Sequence, residues 1–293
     1  MVNESIVVAV DGDLAHRAPI AWAVERALHT DARIELLTVI ERSWGDHDPG
    51  PGRLLTAAAQ ALLDNAVRYA RRRLDTVPEG RTELTTRWAY GHVADELDRT
   101  SYDTDMLVIG ARRTRDVADA FHGSLALRVA STAACTVVVV PHDWAGAGDG
   151  IVVGVDGDLP AETALWFAAD EAVAHRQSLT IVCGGYSSNP LLAGLVPERS
   201  LGDRRQHIME AAAESVRQSY PGLRVDKRII EASPPVALIN ASVGRRLLVV
   251  GSRGRHGAKR VLLGSVGHDV LLNLSCPVAV VRNRSMGEER TDD

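Results

Sequence analysis

Short apolar runs alternate with longer amphipathic stretches along the whole chain. Residues 6–10, Ile-Val-Val-Ala-Val, form a continuous run rich in β-branched side chains. Such a run predicts a strand buried on both faces. An Ala-rich stretch over 20–28 predicts a helix, and 34–40 a second strand. A loop holding Gly45, Pro49, Gly50, Pro51 and Gly52 follows, then a helix from about Leu54 to Leu74. Leu55, Leu62, Ala66 and Tyr69 give that helix one apolar face. The pattern continues with a strand at 84–89, a short helix at 93–99, a strand at 106–109, a helix at 124–132 and a strand at 136–140. Further strands are expected at 151–155, 179–183, 225–230, 247–250 and 278–281. Strands that alternate with helices predict the α/β class, with a doubly wound parallel sheet and helices on both faces.

The second set of strands repeats the first. Residues 6–13, IVVAVDGD, return at 151–158 as IVVGVDGD, an offset of 145. Gly110 and Gly123-Ser124 return as Gly251 and Gly264-Ser265, an offset of 141, and Cys135-Thr136-Val137 returns as Cys276-Pro277-Val278. A repeat this long is a duplicated domain, not a solenoid unit of about 20–50 residues. The expected domains span 1–142 and 150–284. The Gly-rich segment 142–150 is the expected linker, and the charged stretch 283–293 an unstructured tail.

Composition narrows the class. Of 293 residues 45% are hydrophobic but only 4% aromatic, so Val, Leu, Ile and Ala must pack the cores. The formal net charge of -5 offers no basic footprint for nucleic acid. No apolar run approaches the ~20 residues of a membrane span. The opening residues lack a basic stretch and enter a strand directly, which argues against a signal peptide and for a cytoplasmic protein. Cys135, Cys183 and Cys276 form no CxxC pair and read as buried, reduced thiols.

The chemistry-bearing element is Gly251-Ser252-Arg253-Gly254, nine residues, then Gly264-Ser265-Val266. The first glycine ends a buried strand, and Ser265 is expected to open a helix. Glycines admit phosphate oxygens close to backbone N–H groups, and a helix N-terminus adds oriented donors. Ser265 can cap that helix and donate its hydroxyl to a phosphate. Arg253, Arg255 and Lys259 make the loop basic. The same glycines also suit a plain turn from strand to helix. Asp11 and Asp156 end the first strand of each copy, at the carboxyl edge where open parallel sheets bind ligands. There an aspartate can hold a ribose hydroxyl or base edge, or cap the following helix.

The strand–Asp–Gly opening, the long loop after the second strand and the Gly-x2-Gly-x9-Gly-Ser element before a CPVAVV-type strand together resemble the universal stress protein family. The resemblance covers nearly the whole chain, twice, as in tandem-domain members. It implies five-stranded sheets of order 3-2-1-4-5, of the adenine nucleotide alpha hydrolase-like kind, and ATP, with or without Mg²⁺, on the glycine loop. Its nucleotide contacts map onto Gly154, Asp156, Val250, Gly251, Arg253, Gly254, Gly264, Ser265 and Val266, with a backbone contact near Cys183 and Gly184. In the first copy they map onto Ala9, Asp11, Val39, Ile109, Gly110, Arg112, Gly123, Ser124 and Leu125. The first copy departs at Arg113, which takes the second glycine's place and can block a phosphate or pair with it. The second departs at Gly184, which stands where the first has Val39. By its glycines the second copy is the better-preserved site. The resemblance further implies dimer-like packing of the two copies through their last strands.

No Walker-type loop, nucleophile elbow or metal-spaced histidine set is present in the sequence. His47 reads as a solvated loop residue, His256 as exposed, Trp22 and Trp166 as core, and Arg71–Arg73 as a cationic helix end. The expected function is a stress-adaptation regulator that binds ATP and is not an enzyme beyond weak ATPase activity. Its partners would be an adenine nucleotide and a second chain or a regulatory protein. A nucleotide-independent scaffold, pairing through exposed last strands, is the alternative, and a slow ATPase or nucleotidyl-transfer enzyme stands behind it.

Overall fold

A computed structural model describes residues 4–12, 17–41, 49–76, 82–111, 120–146, 148–156, 159–185, 198–252 and 263–282. The first half runs β1 (Ser5–Ala9), α1 (Arg17–Thr30), β2 (Arg33–Ile40), α2 (Pro49–Leu74), β3 (Leu84–Tyr90), α3 (Val93–Thr100), β4 (Met106–Ala111), α4 (Ala120–Thr132) and β5 (Thr136–Pro141). The second runs β6 (Ile151–Gly154), α5 (Leu159–Ala174), β7 (Leu179–Gly184), α6 (Glu198–Ser219), β8 (Val225–Ile230), α7 (Pro234–Ser242), β9 (Leu247–Gly251), α8 (Ser265–Leu272) and β10 (Val278–Val281).

Each half has the expected order 3-2-1-4-5 with parallel neighbours, and the halves join into one ten-stranded sheet, β3-β2-β1-β4-β5-β10-β9-β6-β7-β8. The join is antiparallel, with Val278 opposite Val139 and Val280 opposite Val137. The last strands are therefore not exposed edges. Their all-apolar faces are fully buried, and each spends its free hydrogen-bonding side on the other. Alternate side chains feed two cores. Ile6 and Val8 pack toward α1, α2, α5 and α6, while Val7 and Leu107 pack toward α3, α4, α7 and α8. Trp22 is buried, Trp166 packs on the same core, and all three cysteines are buried and form no disulfide.

Two helix starts differ from the sequence expectation. α2 begins at Pro49, so the proline–glycine run is its first turn and not a loop. Proline has no N–H to lose there, because the first N–H groups of a helix lack intrahelical partners. α4 begins at Ala120, which draws Gly123 and Ser124 inside its first turns. In the linker, Gly148 has φ +130°, and a Cβ on it would lie 2.6 Å from the Arg245 carbonyl oxygen. Glycine is needed there for the chain to pass between the halves.

A buried charge cluster sits where α1 meets α5. Arg26 and Glu171 occupy equivalent repeat positions, at the offset of 145, and pair with each other across the approximate two-fold axis. Arg26 also donates to both carboxylate oxygens of Glu4, at 3.1 and 2.9 Å. In a self-complementary interface a residue near the axis faces its own copy. Two first halves would thus set Arg26 against Arg26, and two second halves Glu171 against Glu171. Only the unlike pairing matches charge, so the cluster favours a first half against a second half over two like halves.

His175 lies beside this cluster, its ring stacked on His29 at 4.6 Å. Burial, aided by repulsion from Arg246, His29 and Arg26, pushes its imidazole down from 6.5 to about 3. The folded state holds it neutral, while the unfolded chain protonates it near 6.5. Its contribution to stability is complete above that pH and is lost as pH falls toward 3. Urea unfolding should therefore weaken through that window by up to about 1.4 kcal/mol per pH unit more in the wild type than in His175→Gln. Equal pH slopes for the two chains would contradict this.

Candidate functional site

Both crevices lie beyond the carboxyl ends of the strands. In the first half the chain stays tied to its neighbour after β1, with the Val10 N–H donating to the Leu37 carbonyl at 2.8 Å. Asp11 therefore emerges directly at the strand end, exposed toward the crevice. The cavity measures about 720 Å³, and Ala9, Asp11, Val39, Ile109, Gly110 and Leu125 all line it. A Cβ on Gly110 would sit 3.2 Å from Pro19 Cγ and 3.4 Å from His142 Nε2, so glycine suits this crowded strand end. Gly123 and Ser124 lie nearby in the backbone of α4.

In the second half the same tie recurs, from the Val155 N–H to the Val182 carbonyl at 3.0 Å. Gly154, Asp156, Val250, Gly251, Gly264, Ser265 and Val266 line one crevice there, with a cavity of only about 110 Å³. The glycine element is pinned at both ends. The Ser252 N–H donates to Val281 at 2.9 Å, and the Gly264 N–H returns to the Ser252 carbonyl at 3.2 Å. Gly264, not Ser265, is the N-cap of α8, and no side chain caps it. Ser265 is the first helical residue, so its hydroxyl does not take the cap position. The donors at this helix start are backbone N–H groups. Arg112, Arg113, Arg253, Gly254, Arg255, Lys259, His256 and His47 lie outside the described residues.

Sequence reasoning missed the helix walls. In the first half Leu55, Ala58, Ala59, Leu62 and Asn65 of α2 form one wall, and Val93 and Leu97 of α3 another. In the second, Pro234 and Leu238 of α7 lean into the crevice. The apolar face of α2 was visible in the pattern, but periodicity does not say whether such a face meets core or cavity. Among the described residues, no group of three or more His, Cys, Asp or Glu side chains is placed to hold a metal ion. No described helix is long and apolar enough to cross a membrane.

A duplicated, doubly wound sheet with an aspartate and a glycine converging at each switch point defines a tandem protein of the adenine nucleotide alpha hydrolase-like fold. The model of the universal stress protein family matches residues 3–141 and again 149–282, and the chain belongs to that family. Universal stress protein Rv2005c of Mycobacterium tuberculosis is 27% identical over 299 residues, covering 96% of this chain and 97% of that one. Universal stress protein Rv1996 of the same organism is 25% identical over 305 residues, covering 96% and 95%. A universal stress protein structure from Archaeoglobus fulgidus shares the fold with a TM-score of 0.72 at 16% identity, covering 95% of this chain and 96% of that one.

Proposed function

We propose that this chain is a regulatory stress-adaptation protein that binds an adenine nucleotide, ATP in the first instance, and acts through that binding and not through catalysis. The observation that carries the reading is the convergence, at one strand edge, of Asp11, the Gly110 strand end and Leu125 of α4. A cavity of about 720 Å³ falls in the usual range of small-molecule sites. Its apolar walls, Val39 and Leu62 among them, suit a flat base, and Asp11 suits the ribose hydroxyls. Any Mg²⁺ would ride on the nucleotide's own phosphates. Binding that orders the surrounding loops would then change the surface offered to a partner.

The test is a titration of ATP against the purified chain, read by calorimetry and by melting temperature. Saturation at a hundredfold over Kd should stabilise the fold by about 2.7 kcal/mol. Asp11→Ala should weaken binding by roughly 10- to 100-fold, since a hydrogen bond to a charged group contributes about 1.5–3 kcal/mol. Absence of both heat and melting shift in the wild type would refute the reading.

A further inference from the structure

The two crevices differ about sevenfold in volume, and two substitutions between the repeats, together with an arginine on α6, fill space in the smaller one. At the end of the second strand, Val39 of the first half is replaced by Gly184. A Cβ on Gly184 would lie 2.6 Å from Pro234 Cα and 3.1 Å from both the Pro234 nitrogen and Ala237 Cβ. The start of α7 thus occupies the space that a valine fills in the first half. At the end of the first strand, Ala9 becomes Gly154, and a Cβ there would meet Leu238 Cδ1 at 2.9 Å. Losing both side chains lets α7 sink against the strand ends. From the other face, α6 adds Arg205, four residues before buried Met209. Its guanidinium donates to the Gly185 carbonyl at 2.8 Å, across the mouth of β7.

We infer that the first half alone admits a nucleotide, and that α7 and Arg205 close the second, so that each chain binds one nucleotide and not two. This rests on the nucleotide-binding reading above and reverses the order that the glycine count suggests. About 110 Å³ is well under the ~300 Å³ at which small-molecule sites begin, whereas the first crevice clears it twofold. The second half keeps the better glycine element, but the place beside it for base and ribose is filled by the protein itself.

The test measures ATP stoichiometry on the full chain by calorimetry, in the wild type and in Ala58→Trp. Ala58 is exposed and lines only the first of the two crevices, so an indole there should fill the cavity without disturbing the core. The expected result is one ATP per wild-type chain and at least a 30-fold loss of affinity in Ala58→Trp. Two ATP per wild-type chain, or one retained at full affinity in Ala58→Trp, would overturn the inference and leave the nucleotide-binding reading standing. No binding to the wild type would overturn both. Photolabelling the wild type with 8-azido-ATP, followed by peptide mapping, gives the answer without any variant. Label on α2 or the end of β2 supports the inference, and label on α7 overturns it.

Discussion

Replacing Arg26 by alanine is expected to lower the unfolding free energy by about 3–5 kcal/mol, measured by urea denaturation at pH 7. The reason is what remains behind. Glu171 is only 2% exposed, and its carboxylate would lose the guanidinium that neutralises it. Glu4, more accessible at the rim, would lose its two charge-assisted hydrogen bonds but could turn to water. The cation–π contact of Arg26 with Phe167, at 5.4 Å, goes as well. The double variant Arg26→Met with Glu171→Leu should recover most of the loss, because a buried pair exchanged whole for apolar groups is often neutral. If the double variant is as unstable as the single one, the cost came from packing and not from the orphaned charge. The chain that keeps only Glu171 should also lose its bias against pairing between two first halves, though not between two second halves, which size-exclusion at rising concentration would reveal.

Gly184→Val is expected to destabilise the second half by about 3 kcal/mol or more, above the range of simple overpacking. The first contact of the new side chain would be the backbone of Pro234, which cannot swing aside as a side chain does. α7 must retreat as a unit, or β7 must bend. The reverse substitution, Val39→Gly, removes only a partly buried side chain from the edge of an open cavity and should cost about 1 kcal/mol. Comparing the two urea midpoints checks the asymmetry. Equal losses would mean that α3 and α7 approach their strands equally closely.

Much of this architecture was legible in the chain. The β-branched runs at 6–10 and 151–155 marked strands buried on both faces, and both are so buried. The repeat announced two equivalent halves, and the spacing of Asp, Gly and Gly-Ser brought the crevice residues to one strand edge in each. These features rest on local backbone preference and on a period of two or 3.6 residues, which a linear pattern records. Helix starts were less legible. At Pro49–Gly52 and at Gly123 the helix runs through residues whose local preference is for turns, a preference weak enough for context to override.

The sequence by itself determined the duplication, the α/β class, the strand order of each half through the family resemblance, and which residues gather at the carboxyl edge. Tertiary structure decided three further matters. It set the antiparallel register of the β5–β10 join that the resemblance implied, so that apolar strands that would be exposed edges of a separate half became the middle of one sheet. It set Arg26 on Glu171, two positions 145 residues apart that only the approximate two-fold axis brings together. It also let α7 descend on Gly184 while Val39 keeps its place beside the open first crevice. Each depends on how closely separate elements approach, and that distance is set by side-chain volumes summed across a packed interface, which no single segment carries.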